Sequence, residues 1–71
     1  MEEIKASMAG NVWKITVNTG DEVKPGDEVV ILESMKMEIP IAAESAGTVE
    51  SIVVEEGSFI NEGDVLVKIQ S

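Results

Sequence analysis

Cysteine, histidine and arginine are all missing from these 71 residues. Without cysteine no disulfide can staple the fold, and without cysteine or histidine the usual zinc donor set is excluded. Basic charge is scarce: five lysines stand against 14 acidic residues, for a net charge of -9. A polyanion repels phosphate backbones, so nucleic-acid binding is excluded, while solubility and a monomeric state are favoured. No apolar run reaches membrane-spanning length, and the start Met1-Glu2-Glu3-Ile4 lacks the basic and apolar regions of a signal peptide. The expectation is a soluble cytoplasmic protein with no membrane contact. No spacing of carboxylates resembles a calcium loop, and a chain this short has little room for a hydrolytic cleft.

What is present is β-type sequence. A single small domain over 1-71 buries only about 60% of its unfolded surface, so stability must come from efficient sheet closure. Ile4 to Ala6 reads as a short first strand. Val12 to Val17 is rich in β-branched residues, and Val29 to Leu32 is a short continuous apolar run. Ile39 to Ala42 is a further strand, with Pro40 confined to an edge or a bulge because it has no N–H for the ladder. Thr19-Gly20-Asp21 and Lys24-Pro25-Gly26-Asp27 are turn signals on either side of Val23. No segment sustains a helical period. The class is all-β.

The chain also repeats itself. Adding 37 lays Ala9 to Glu33 over Ala46 to Gln70, and nine of the 25 pairs are identical. Three of these pairs are glycines: Gly10 with Gly47, Gly20 with Gly57, and Gly26 with Gly63. All six read as turn positions, and the repeated aliphatics as inward-facing. Both halves break phase at one place: Val12, Ile15 and Val17 are spaced three then two, as are Val49, Ile52 and Val54. Period two cannot hold such residues on one face unless a bulge or corner intervenes. Strands that turn corners pass between sheets. The expected fold is a flattened β-barrel, a barrel-sandwich hybrid of two small antiparallel sheets related by a pseudo-twofold.

Between the repeats lies Glu33-Ser34-Met35-Lys36-Met37-Glu38, flanked by strands and so a hairpin tip. Tight hairpin turns favour Gly, Asn or Asp, which tolerate positive φ. Two methionines around a lysine therefore suggest a tip shaped for more than turning. With Met35 and Lys36 as the central residues, Ser34 pairs with Met37, and Glu33 lies opposite Glu38. The symmetry places Lys36 at one end of the domain and the chain termini at the other. At least one of Met35 and Met37 is expected to be partly buried against the barrel end. Trp13, the sole tryptophan, is expected in a core or lid position. The scattered acids, Glu2, Glu3, Asp21, Glu28, Glu55, Glu56 and Glu62, read as solvated surface.

With those residues in view, the whole chain resembles the biotinyl domains of the biotin carboxyl carrier family, within the wider biotin/lipoyl attachment fold. Met35-Lys36-Met37 is similar to the family's most specific motif, and Gly20-Asp21, Gly26-Asp27, Glu33, Gly47 and Gly63-Asp64 match its pattern. Ser34 stands where Ala is more usual. The short connection before Gly26 leaves no room for the inserted thumb of some family members. The start at Met1 suggests a stand-alone attachment protein rather than the tail of a large carboxylase.

The resemblance implies that a biotin protein ligase forms an amide between biotin and Lys36. Biotin carboxylase and a carboxyltransferase would then exchange carboxyl groups through the tethered arm. The chain would be a carrier and ligase substrate, not a catalyst, with tethering supplying a high effective concentration at two sites. Ligase recognition is expected at Met35 and Met37, and at Glu33 and Glu38, whose charges would steer the tip toward a basic surface. Two other readings stand beside it. Lipoate on the same lysine shares the fold, although lipoyl domains usually carry Asp before the lysine and Ala after it. An unmodified interaction module is the other.

Overall fold

The structure, a computed structural model, describes residues 2–70. It contains eight strands and, among the described residues, no helix. They are β1 (Glu2–Lys5), β2 (Gly10–Ile15), β3 (Glu22–Val23), β4 (Glu28–Ser34), β5 (Met37–Ala42), β6 (Gly47–Ile52), β7 (Phe59–Ile60) and β8 (Val65–Gln70). They form two antiparallel four-stranded sheets, in the orders β1-β8-β6-β3 and β5-β4-β2-β7. The chain changes sheet at every connection but one, the β4–β5 hairpin.

The offset of 37 seen in the sequence is the symmetry of the fold. It carries β1 onto β5, β2 onto β6, β3 onto β7 and β4 onto β8, and it exchanges the two sheets strand for strand. Even the irregularities correspond. The β2–β4 register slips between Val12 and Lys14, and the β6–β8 register between Val49 and Ser51. The three-residue spacing in the sequence is therefore a β-bulge at Trp13 and Glu50, and it keeps Val12 and Val49 on the core face.

Four tight turns repeat in the same way. Asn18–Asp21, Lys24–Asp27, Glu55–Ser58 and Asn61–Asp64 are each closed by an N–H donated to the carbonyl three residues back, at 3.0–3.1 Å. Their third positions are Gly20, Gly26, Gly57 and Gly63, with φ of 95°, 93°, 91° and 90°, the pattern of a type II turn. For these four glycines the turn reading holds. Gly20 and Gly57 have a further task in common: the Gly20 N–H donates to the Val49 carbonyl at 2.8 Å, and the Gly57 N–H to the Val12 carbonyl at 2.7 Å. Each of those turns is thereby fixed to the bulged strand of the other half.

Asp27 and Asp64 tighten their own turns by accepting from the N–H groups of Lys24 and Asn61, at 2.9 and 2.8 Å. The carbonyl of Asp27 accepts from Ala43 at 2.8 Å and that of Asp64 from Ala6 at 2.9 Å, which again ties turn to opposite half.

Gly10 and Gly47 depart from the turn reading: they open β2 and β6. What they provide is room for another strand. A Cβ on Gly47 would sit 2.5 Å from Cγ2 of Ile69 and 2.7 Å from the Gln70 carbonyl oxygen; on Gly10 it would meet the Glu33 carbonyl oxygen at 2.9 Å.

The core between the sheets is entirely aliphatic among the described residues, with no buried polar or charged side chain. Val12, Val29, Val30, Leu32, Val49, Leu66, Val67 and Ile69 are all but sealed from water. Each stabilises the fold by roughly 1.5–3 kcal/mol relative to exposure. Trp13 is not among them. As the bulge residue it turns outward, is 45% exposed, and carries the Lys14 ammonium 5.6 Å from its ring centroid.

Candidate attachment site on the β4–β5 hairpin

The longest ladder in the molecule ends at the candidate site. Six register pairs join β4 to β5, from Glu28↔Ala42 to Glu33↔Glu38 and Ser34↔Met37. Beyond the last pair only Met35 and Lys36 remain, so the turn has two central residues, as its sequence implied. Pro40 lies on β5, the edge strand of its sheet, opposite Ile31. A residue without an N–H is tolerated there because the outer side of β5 has no partner strand.

Both turn residues adopt positive φ, 50° at Met35 and 66° at Lys36. They are the only described non-glycine residues that do so. A two-residue hairpin needs this left-handed backbone to match the strand twist, and a side chain beyond glycine, Asn or Asp makes it costly, by roughly 1–2 kcal/mol per residue. The four type II turns obey the usual chemistry with glycine at the left-handed position. This turn does not, and its strain lies at the one lysine the sequence singles out.

The side chains point away from the body. Met35 is 92% exposed and Met37 65% exposed, and Lys36 between them is exposed. The expected partial burial of a methionine against the barrel end does not occur. Met37 shares a face with Ile41, which is buried, but it lies opposite Ser34 past the end of the packed interior. Two flexible thioether side chains thus flank the amine in water, available to a partner's surface. Glu33 and Glu38 face each other one step behind, both exposed. The next strand extends that row, since Asn11 pairs with Glu33 on one side and with Phe59 on the other. Phe59 carries no signal in the sequence; only the β2–β7 pairing brings it level with the hairpin.

The pseudo-twofold exchanges the tip with the place where the chain begins and ends, at β1 and β8, where Glu2 pairs with Ile69. Met1 and Ser71, the termini assigned to that end, lie outside the described residues. Two surface depressions, about 450 and 390 Å³, are lined mainly by residues of β1 and β5 and of β3 and β6 respectively. Neither includes Met35, Lys36 or Met37. Among the described residues no three His, Cys, Asp or Glu side chains cluster as metal donors. The arrangement offers a reachable primary amine on a rigid two-strand arm, suited to acylation by another protein's active site.

Known proteins resemble the chain over nearly its whole length. A Bacillus subtilis protein named "Biotin/lipoyl attachment protein" is 52% identical over 68 residues, covering 96% of this chain and 93% of its own length. The biotin carboxyl carrier protein of Streptococcus mutans is 47% identical over 64 residues, which is 90% of this chain but 49% of that protein. Among solved structures, urea carboxylase of Kluyveromyces lactis superposes with a TM-score of 0.92 and 33% identity, over 97% of this chain and 6% of that one. The family described as "Biotin-requiring enzyme" matches residues 2–69, and the chain belongs to this biotin/lipoyl attachment family.

Proposed function

We propose that the protein is a biotin carboxyl carrier: Lys36 receives biotin and the loaded arm serves a biotin-dependent carboxylase. The observation that carries this reading is the strained tip, which holds the lysine amine and its flanking methionines in water at the end of the β4–β5 ladder. The residues fit the group. Amide formation needs an accessible amine, and Lys36 is exposed between two exposed methionines.

Bound biotin supplies a ureido nitrogen able to carry a carboxyl group. The protein supplies reach and position, and the effective concentration that tethering gives at two successive active sites. Amide formation needs the neutral amine as nucleophile, and a ligase that presents an activated acyl group would supply the base that takes its proton. Under this reading the chain's partners are a biotin protein ligase, a biotin carboxylase and a carboxyltransferase, and it catalyses none of their reactions. Its relatives are named as attachment and carrier proteins. Met35 and Met37 would enter the ligase site with the lysine. The facing acids Glu33 and Glu38 would set the electrostatic approach.

Intact mass of the protein from its own source, with peptide mapping across Lys36, tests the assignment. A biotinyl increment on Lys36 is expected. Lys36→Arg keeps the charge but cannot be acylated, so it should remove the increment completely with no change in thermal stability. A lipoyl increment would move the protein to 2-oxo acid dehydrogenase or glycine-cleavage chemistry. A bare lysine in the presence of biotin and ligase would leave only the unmodified interaction module.

A further inference from the structure

The two sheets are built on one plan, so each outward residue of the hairpin-bearing sheet has a counterpart that meets the same backbone demands. At four outward positions the two sheets nevertheless differ in kind, although Lys14 and Glu33 on the hairpin-bearing sheet correspond to the uncharged Ser51 and Gln70. Trp13, Ile31, Pro40 and Phe59 lie on the hairpin-bearing sheet, and their counterparts 37 positions away are Glu50, Lys68, Glu3 and Glu22. Four apolar side chains on one face correspond to four charged ones on the other. Since the same strands, bulge and register accommodate charge at the second set, sheet stability does not require apolar groups at the first.

Exposure makes the difference more pointed. Phe59, the sole phenylalanine, is 65% exposed and Trp13 is 45% exposed. Phe59 ends the cross-strand row Glu38, Glu33, Asn11, Phe59, which starts directly behind the tip and crosses the sheet to its far edge. Two exposed aromatics on the sheet that carries the hairpin, one of them at the end of a row that starts one step behind the lysine, mark a docking face.

We infer that this outer face, centred on Phe59 and Trp13, is the surface on which the ligase that acylates Lys36 docks; the inference rests on the carrier reading above. Two arguments select the occupant. A second copy of the chain would bring two charges of -9 together. An enzyme that meets only the far end of a loaded arm can remain an arm's length away. The enzyme that brings an activated acyl group to the lysine amine itself must close around Met35–Met37, and that lays its surface on the row behind. The complementary ligase surface presents basic groups to Glu33 and Glu38 and an apolar notch to Phe59 and Trp13.

The test is steady-state biotin transfer to the whole protein by a biotin protein ligase with biotin and ATP, followed by intact mass. Phe59→Glu and Trp13→Glu install the residues that the counterpart positions already carry; Phe59→Ser removes the ring without adding charge. The mirror variants Glu22→Phe and Glu50→Trp are the controls, and thermal melts confirm that every variant is folded. All three changes on the hairpin-bearing sheet should raise KM about tenfold with kcat held within about twofold, and the mirror variants should leave both constants unchanged. If parent and variants are biotinylated with the same KM, the docking face is refuted while the carrier reading stands. If the parent takes no biotin on Lys36, the carrier reading itself falls and this inference with it.

Discussion

The two halves of the molecule are alike where they face inward and unlike where they face outward. Val12 and Val49, Val30 and Val67, Leu32 and Ile69 occupy corresponding positions, and all six are buried. Trp13 and Glu50, or Phe59 and Glu22, also correspond, and all four are exposed. The inward pairs share one constraint, the volume between two sheets about 10 Å apart, so a similar aliphatic is needed in each half. Outward positions carry no such constraint. At these two positions the difference, aromatic on the sheet with the hairpin and acidic on the other, has its cause outside the fold.

The sharpest way to break this comparison is to remove matched core residues. Leu32→Ala and Ile69→Ala each empty a position that is 0% exposed, and each should cost about 2–5 kcal/mol in urea unfolding. If the halves support each other as the shared core implies, the two losses should agree within about 1 kcal/mol and leave one cooperative transition. Unequal losses, or two transitions, would show that one half folds independently of the other.

Much of this equivalence was legible in the sequence because its causes are local or additive. The offset of 37, the aliphatic spacing that demanded a bulge, and the hairpin register at Ser34↔Met37 follow from side-chain period and turn length. The turn glycines Gly20, Gly26, Gly57 and Gly63 were legible for the same reason, since a type II turn sets its own local demand for positive φ. What was not legible depended on neighbours far along the chain. The spacing shows that a bulge exists but not that Trp13 is the residue it turns outward. The two-residue strands β3 and β7 have no periodicity to read, since they exist only through their pairing with β6 and β2. Phe59 looked unremarkable for that reason. Gly10 and Gly47 looked like turn glycines until the strands crowding them were in place.

Those two glycines give a second, smaller test. Each opens the second strand of its repeat, but Gly47 is the more tightly enclosed, with the Ile69 side chain as well as the Gln70 carbonyl in the way. Gly47→Ala should cost about 1–3 kcal/mol by overpacking, and Gly10→Ala less, because its near contact is a carbonyl oxygen at 2.9 Å alone. Thermal melts rank the pair. The reverse order would mean that the β2–β4 end yields less readily than its counterpart.

The hairpin tip is where the comparison stops, because its counterpart is the place where the chain begins and ends. Met35 holds a φ of 50° that Asn adopts with little strain. Met35→Asn should therefore stabilise the protein by up to about 1 kcal/mol, seen as a higher midpoint in urea, since the native turn already has the conformation Asn favours. The same change removes a flexible apolar side chain beside Lys36, so biotin transfer to that lysine should slow although the amine remains as exposed as before. A gain in stability paired with a loss in transfer would show that the methionine is kept at the tip for recognition, against the preference of the turn. A loss of stability instead would place Met35 among the residues that hold the hairpin together, and the strain at the tip would then need a structural cause.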